Sequence, residues 1–132
     1  MSEENVNIAL AAADAWNRGD YEGWLARWDE EAEFYPLRAQ MESASYLGHQ
    51  GLEQFLADVS DDFENTRFEI EETRDAGEQV VGIGRFLARG RASGVEINVP
   101  LGIFAKVRRG KIVYTRLFSE PSDALEAAGL SE

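Results

Sequence analysis

The chain has 132 residues, of which 44% are hydrophobic and 29% charged, so we expect residues 1–132 to form one ordinary globular domain. Its net charge of −12 is opposite to the cationic surface that nucleic acids and anionic membranes require, and we expect neither as a partner. The chain has no cysteine, which excludes disulfides and thiolate metal sites and favours a cytoplasmic location. No apolar run approaches the roughly 18 residues of a membrane span.

Apolar residues at helical spacing predict three helices in the first half of the chain. The first covers residues 5–18, and the second covers residues 21–28. The third begins around Gly48. Between the second and third helices, the pattern predicts a short strand at 32–36 and an irregular connection at 37–47.

Alternating apolar and polar residues predict strands in the second half of the chain. The predicted strands lie around 67–71 and at 79–90, 95–107 and 111–119, and a short helix at 123–128 follows them. Helices and strands that are segregated along a chain favour an α+β fold over a doubly wound sheet. An antiparallel sheet bent around the long helices would bury all of these apolar faces.

Five short segments stand out in this order and spacing: residues 15–20 (AWNRGD), 46–52 (YLGHQGL), 93–95 (SGV), 110–112 (GKI) and 124–130 (ALEAAGL). Together they resemble the nuclear transport factor 2-like superfamily and its SnoaL-like, ketosteroid-isomerase-like branch. The resemblance covers nearly the whole chain and implies an α+β cone. In such a cone a strongly curved antiparallel sheet wraps around three N-terminal helices, a short C-terminal helix follows, and an apolar pocket holds a small hydrophobic molecule. The superfamily includes isomerases, cyclases, hydrolases, dehydratases and non-catalytic modules, so it implies no single reaction.

The catalytic positions of two enzymes of this superfamily are vacant when the chain is laid on their patterns. The three key positions of ketosteroid isomerase fall on Ala12, Tyr35 and Gly102. The limonene epoxide hydrolase pattern keeps Arg116 but has Leu117 in place of an aspartate. We therefore expect neither standard activity. If the chain is an enzyme, the resemblance implies proton transfer of the isomerase, cyclase or lyase type.

Two residues are candidates for catalysis. His49 is the one histidine, and its ordinary pKa of about 6.5 suits a general acid or base at the mouth of the cone. Alternatively, His49 opens the third helix with its ring bonded to backbone. Tyr35 could donate a hydrogen bond to a carbonyl or enolate, or could simply fill the pocket. A single histidine without cysteine argues against a metal site, and we expect no metal and no cofactor.

A larger set of aromatic and polar residues is expected to line the pocket or bind the ligand. In this set, Arg116 either awaits an anion or pairs with an acid such as Glu33 or Glu96. Asn98 either orients the ligand or points outward. The set consists of Trp16, Trp28, Tyr46, Phe86, Asn98, Phe104, Arg116 and Phe118.

Two functions of different classes remain open. The first is an enzyme acting on a small hydrophobic carbonyl or polyketide-like compound, with His49 or a strand glutamate as acid or base and Tyr35 as hydrogen-bond donor. The second is a non-catalytic ligand-binding or dimeric interaction module. His49, Tyr35 and a carboxyl meeting in one cavity would favour the enzyme. A homodimer through the outer sheet face is expected for both functions.

Overall fold

The structure is a computed structural model that describes residues 2–37 and 45–130. The α+β fold class predicted from the sequence is confirmed, with three helices near the N-terminus, a curved sheet and a short last helix. None of the described helices combines the length and apolar character needed to cross a membrane. The elements are α1 (Ser2–Asn17), α2 (Tyr21–Leu25), β1 (Trp28–Tyr35), β2 (Tyr46–Leu47), α3 (Gly48–Asp62), β3 (Phe63–Ala76), β4 (Gln79–Gly90), β5 (Glu96–Arg108), β6 (Lys111–Phe118) and α4 (Pro121–Ala127).

Trp28 was predicted to end the second helix, and this prediction is wrong. α2 ends at Leu25, and Trp28 is the first residue of β1, opposite Ile112 of β6. The N–H of Ile112 donates a 2.9 Å hydrogen bond to the carbonyl of Arg27. Pairing with β6 thus ends the helix before Trp28. Trp28 is nevertheless buried, as it would be on the apolar face of a helix. The apolar spacing alone therefore does not show whether Trp28 ends a helix or begins a strand.

The connection predicted as irregular at 37–47 ends in a strand instead. Tyr46 and Leu47 form β2, which pairs with β1 in antiparallel fashion. A strand of two residues is too short to show the alternation of apolar and polar residues by which strands are predicted. Positions 38–44 of this connection lie outside the described residues.

The described residues form one six-stranded sheet in the order β2-β1-β6-β5-β4-β3. Neighbouring strands are antiparallel except β1 and β6, which run parallel. Register shifts interrupt the β3–β4 pairing after Glu64 and after Ile70, and such bulges bend strands. Near the second shift only a glycine fits at Gly84, because a Cβ there would lie 1.8 Å from the carbonyl oxygen of Glu69. The sheet therefore curves around the helices without closing.

Both faces of the sheet bury apolar side chains, and we call them the inner and the outer face. The inner face packs against α1, α2 and α3, and its cluster includes Leu101 and Leu117. The outer face packs against α4 through a second cluster that contains Val81 and Phe104. Gly102 allows α4 to approach, since a Cβ there would lie 2.9 Å from the Cβ of Ala124.

Side chains at the end of α1 hydrogen-bond to β3. Asn17 pairs with the backbone of Phe68 in the way that a neighbouring strand would. The Asn17 amide donates to the carbonyl of Phe68 at 3.0 Å and accepts from the Phe68 N–H at 2.9 Å. Next to it, Nε1 of Trp16 donates to Oγ1 of Thr66 at 3.0 Å. These bonds hold β3 against α1, with the ring of Phe68 on the inner face.

We predict that Asn17→Ala lowers the free energy of unfolding by about 2 kcal/mol, because it leaves both backbone groups of a half-buried residue unpaired. Urea denaturation measures this change. The matched control is Asn5→Ala, which removes a single exposed bond to the carbonyl of Gly77 and should cost less than about 0.5 kcal/mol. Equal losses in the two variants would contradict a special role for Asn17.

Candidate functional site

The inner face encloses a cavity of about 490 Å³ between α3 and the strands β3 to β6. Its wall is mainly aromatic and aliphatic, because the inward residues of the alternating strands are apolar. The described residues that line it are Pro36, Leu37, Tyr46, Phe55, Asp58, Val59, Asp61, Asp62, Phe63, Phe68, Phe86, Ile97, Val99 and Leu117.

A smaller chamber of about 70 Å³ lies deeper, near α1 and α2. It shares Phe55, Phe68 and Leu117 with the main cavity, so the two spaces are adjacent. The three tryptophans line it and pack edge to face, with ring centroids 4.9 Å apart for Trp16 and Trp24, and 5.8 Å apart for Trp24 and Trp28. The deep end of the interior is therefore aromatic.

Three carboxylates of α3 form what we call the acidic rim of the main cavity: Asp58, Asp61 and Asp62. Asp61 and Asp62 are exposed, so this end of the cavity meets solvent. No lysine, arginine or histidine is among the described lining residues. The polarity of the site is therefore one-sided, with an apolar wall and a negative rim.

Asp58 is held by two donors. The Tyr46 hydroxyl donates to it at 2.6 Å, and the Gln54 amide, one helical turn earlier, donates at 2.7 Å. These two bonds, the Tyr46 bond first, lower the pKa of Asp58. Gly51 makes the arrangement possible, because a Cβ there would lie 2.8 Å from the backbone of Tyr46. Asp58 is therefore ionised near neutral pH and is a weak base.

His49 does not line the main cavity. Its Nε2 lies 2.8 Å from the carbonyl oxygen of Trp28, to which it donates, and this bond ties the first turn of α3 to the start of β1. The structure thus shows the geometry of the alternative reading, a ring bonded to backbone.

Tyr35 lies on the outer face and not in the cavity. Its hydroxyl donates to Glu33 at 2.8 Å, and this bond, with burial and the charge of Glu33, raises the pKa of Tyr35. His49, Tyr35 and a carboxyl therefore do not meet in one cavity. No group of three acidic or histidine side chains in the described ranges could hold a metal ion.

Arg116 also lies on the outer face, with its guanidinium 5.4 Å from the ring of Tyr35 and 5.8 Å from that of Phe118. Of the two alternatives for Arg116, the ion pair with an acid such as Glu33 or Glu96 is not found among the described residues. The Nε of Arg116 is buried and has no hydrogen-bond partner there.

The structure divides the remaining expected pocket residues between the two faces. Phe104 and Phe118 belong to the outer cluster, so they do not line the inner cavity. Asn98 is exposed and accepts a hydrogen bond from Arg85. The residues that do line the inner spaces are Trp16, Trp28, Tyr46 and Phe86.

The sequence reasoning missed the acidic rim. None of its three carboxylates is among the residues that the sequence predicted to line the pocket. The available signal was the helical spacing of Phe55, Asp58, Val59 and Asp62, which places carboxylates on the same face as buried apolar residues.

Comparisons with known proteins identify the family. The model of the SnoaL-like domain matches residues 9–115, which is most of the chain. The chain belongs to the SnoaL-like domain family. A search of curated proteins finds no match to this SnoaL-like domain.

Solved structures share the fold of this SnoaL-like domain. A nuclear transport factor 2-like protein from Burkholderia xenovorans LB400 is 25% identical with a TM-score of 0.75, covering 97% of each chain. A protein from Shewanella denitrificans OS-217, provisionally named a SnoaL-like polyketide cyclase, is 21% identical with a TM-score of 0.74, covering 93% of this chain and 97% of its own. A protein with a ketosteroid isomerase-like fold from Catenulispora acidiphila DSM 44928, solved in complex with trimethylamine, is 18% identical with a TM-score of 0.76, covering 93% and 92%.

We predict that Tyr46→Phe raises the pKa of Asp58 toward its ordinary value of 3.8, because it removes the larger cause of the lowering. Because the pKa of Asp58 is lower in the folded than in the unfolded state, its ionised carboxylate stabilises the fold. This stabilisation is complete at a pH above the unfolded-state pKa and is lost as the pH falls through the folded-state pKa. Carbon-13 NMR titration of the Asp58 carboxyl measures the midpoint. Gln54→Ala removes the weaker of the two hydrogen bonds and should raise the pKa of Asp58 less. An unchanged midpoint in Tyr46→Phe would contradict the claim that the Tyr46 bond lowers this pKa.

Proposed function

We propose that this SnoaL-like domain binds a small, largely apolar molecule that carries an amine or another hydrogen-bond donor. The apolar part occupies the main cavity, and the donor lies at the acidic rim. The observation that carries the proposal is the one-sided lining, with aromatic and aliphatic walls and charged lining residues that are all carboxylates within the described ranges.

The physical argument has two parts. Burial of apolar ligand surface against side chains such as Phe86 and Leu117 contributes roughly 25 cal/mol per Å². An ionised Asp58 attracts a cation or accepts a hydrogen bond, and the net charge of −12 disfavours anions throughout. The trimethylamine complex of the Catenulispora acidiphila protein supports an amine as the ligand class.

The second candidate function is acid/base chemistry on a carbonyl or polyketide-like compound. The observation that favours it is the 2.6 Å contact between Tyr46 and Asp58, which both line the cavity and would act as proton donor and base. The lowered pKa of Asp58 makes it a weak base, whereas enzymes that use a carboxylate base often raise its pKa. Binding without turnover is therefore the function proposed first.

We also propose that the domain forms a homodimer through its outer face and works in the cytoplasm. Lys106 and Arg116 lie on this face, and neither has an ion-pair partner among the described residues. Lys106 stacks 5.2 Å from the ring of Tyr114. The carboxylates of Glu33 and Asp123 on the same side of a second copy could pair with these cations. The lack of cysteine suits a reducing compartment.

We predict that N-phenyl-1-naphthylamine binds at least about tenfold more tightly than 8-anilino-1-naphthalenesulfonate, because the added sulfonate meets the acidic rim. Fluorescence titration measures both affinities. Equal affinities for the two dyes would contradict the proposed role of the rim.

We predict that Val99→Trp weakens binding of N-phenyl-1-naphthylamine by about tenfold, because the indole fills part of the cavity. Val99 lines the cavity and is 37% exposed, so the fold has room for the change. The matched control is Val95→Trp, which is 60% exposed, does not line the cavity and should bind as the wild type does. If both variants bind the dye unchanged, the dye binds elsewhere.

We predict a dimer in solution by light scattering, and a dimer dissociation constant raised about tenfold or more in Lys106→Glu, because the reversed charge faces carboxylates of the partner copy. Arg27→Glu makes the same charge change at an exposed residue of the connection between α2 and β1, outside the strands, and should leave the constant unchanged. A wild-type protein that is monomeric at working concentration would contradict the proposed dimer.

A further inference from the structure

The indole N–H of Trp28 is a buried donor without a partner. Trp28 is 4% exposed, and its Nε1 has no hydrogen-bond acceptor among the described residues. Trp16, in the same aromatic group, shows the usual arrangement, with its Nε1 bonded to Thr66. Buried tryptophan N–H groups normally find an acceptor, because leaving them unpaired costs free energy.

The position of Trp28 is fixed from several directions. Its carbonyl accepts from His49, and its backbone pairs with Ile112 at the start of β1. Its ring lies edge to face against Trp24 at 5.8 Å and against Phe34 at 5.6 Å. Because the ring is packed on these sides, it cannot easily turn to find another acceptor within the protein.

Trp28 lines the deep chamber of about 70 Å³. The buried polar residue Thr115 lines the same space, so polar character is not confined to the rim. A space of this size admits a terminal group of a ligand, such as a methyl ketone, or about two water molecules. It shares Phe55, Phe68 and Leu117 with the main cavity, so a ligand in the main cavity lies beside it.

We propose that Trp28 donates a hydrogen bond to an acceptor atom, a carbonyl or ether oxygen, at the buried end of the ligand. This inference rests on the proposed function and narrows its ligand class. The ligand has an apolar middle, a hydrogen-bond acceptor at the deep end and a donor at the acidic rim. Trp28 is then a binding residue that selects oxygenated molecules over hydrocarbons of equal length.

The test compares 4-phenyl-2-butanone with butylbenzene, which has the same length but lacks the carbonyl. The three tryptophan indole N–H signals are followed by nitrogen-15 NMR and assigned with Trp28→Phe and Trp24→Phe. We expect the ketone to move the Trp28 indole proton downfield and the hydrocarbon to leave it in place. We expect Trp28→Phe to weaken ketone binding about tenfold and butylbenzene binding less than twofold. Trp24→Phe, a change in the same chamber, should keep the preference for the ketone.

Several outcomes would overturn the inference, and they separate its failure from a failure of the proposed function. If the ketone shifts the ring signals of Phe86 but not the Trp28 indole, or Trp28→Phe binds both compounds as the wild type does, the cavity binds ligands but Trp28 does not select them. If N-phenyl-1-naphthylamine perturbs Phe86 but neither of these two compounds does, the inference fails and the proposed function stands. If none of the three compounds perturbs Phe86, both fail. The wild-type indole shift decides the question even where Trp28→Phe folds poorly.

Discussion

The amide of Asn17 joins the first helix to the outermost long strand of the sheet, and the interior depends on this join. Among the described residues β3 is an edge strand, paired with β4 on one side and with no strand on the other. The two bonds from Asn17 to the backbone of Phe68 attach the free edge of β3 to α1. The bulges in β3 then bend the sheet over the helices. The cavity is the space that this curvature leaves between α3 and the strands.

The alternation of side chains along each strand decides what that cavity contains. A shift of one residue moves a side chain to the opposite face. Tyr35 and Gly102, which the resemblance placed at catalytic positions, lie on the outer face, whereas their neighbours Phe34 and Leu101 face inward. The two inward residues, Phe34 and Leu101, are apolar. Polar groups in the interior therefore come from α3, from Tyr46, from the buried Thr115 and from the indole of Trp28.

The sequence predicted the fold more fully than the site. Helical spacing and strand alternation are local signals, and they predicted the helices and the four long strands. They did not predict which face each aromatic residue occupies. Phe104 is buried and Phe118 half-buried in the outer cluster with α4, whereas Phe86 lies on the inner face. The contact between Tyr46 and Asp58 depends on how closely β2 lies on α3, which Gly51 permits and no periodicity shows.

The central claim is that the inner face, with an apolar wall and a carboxylate rim, is the binding site of this SnoaL-like domain. A crystal structure of the protein with N-phenyl-1-naphthylamine tests it most directly. The claim predicts electron density for the rings beside Phe55 and Phe86, with the amine nitrogen within hydrogen-bond distance of Asp58. Density on the outer face beside Phe104 and Tyr114, with none between α3 and the strands, would contradict it.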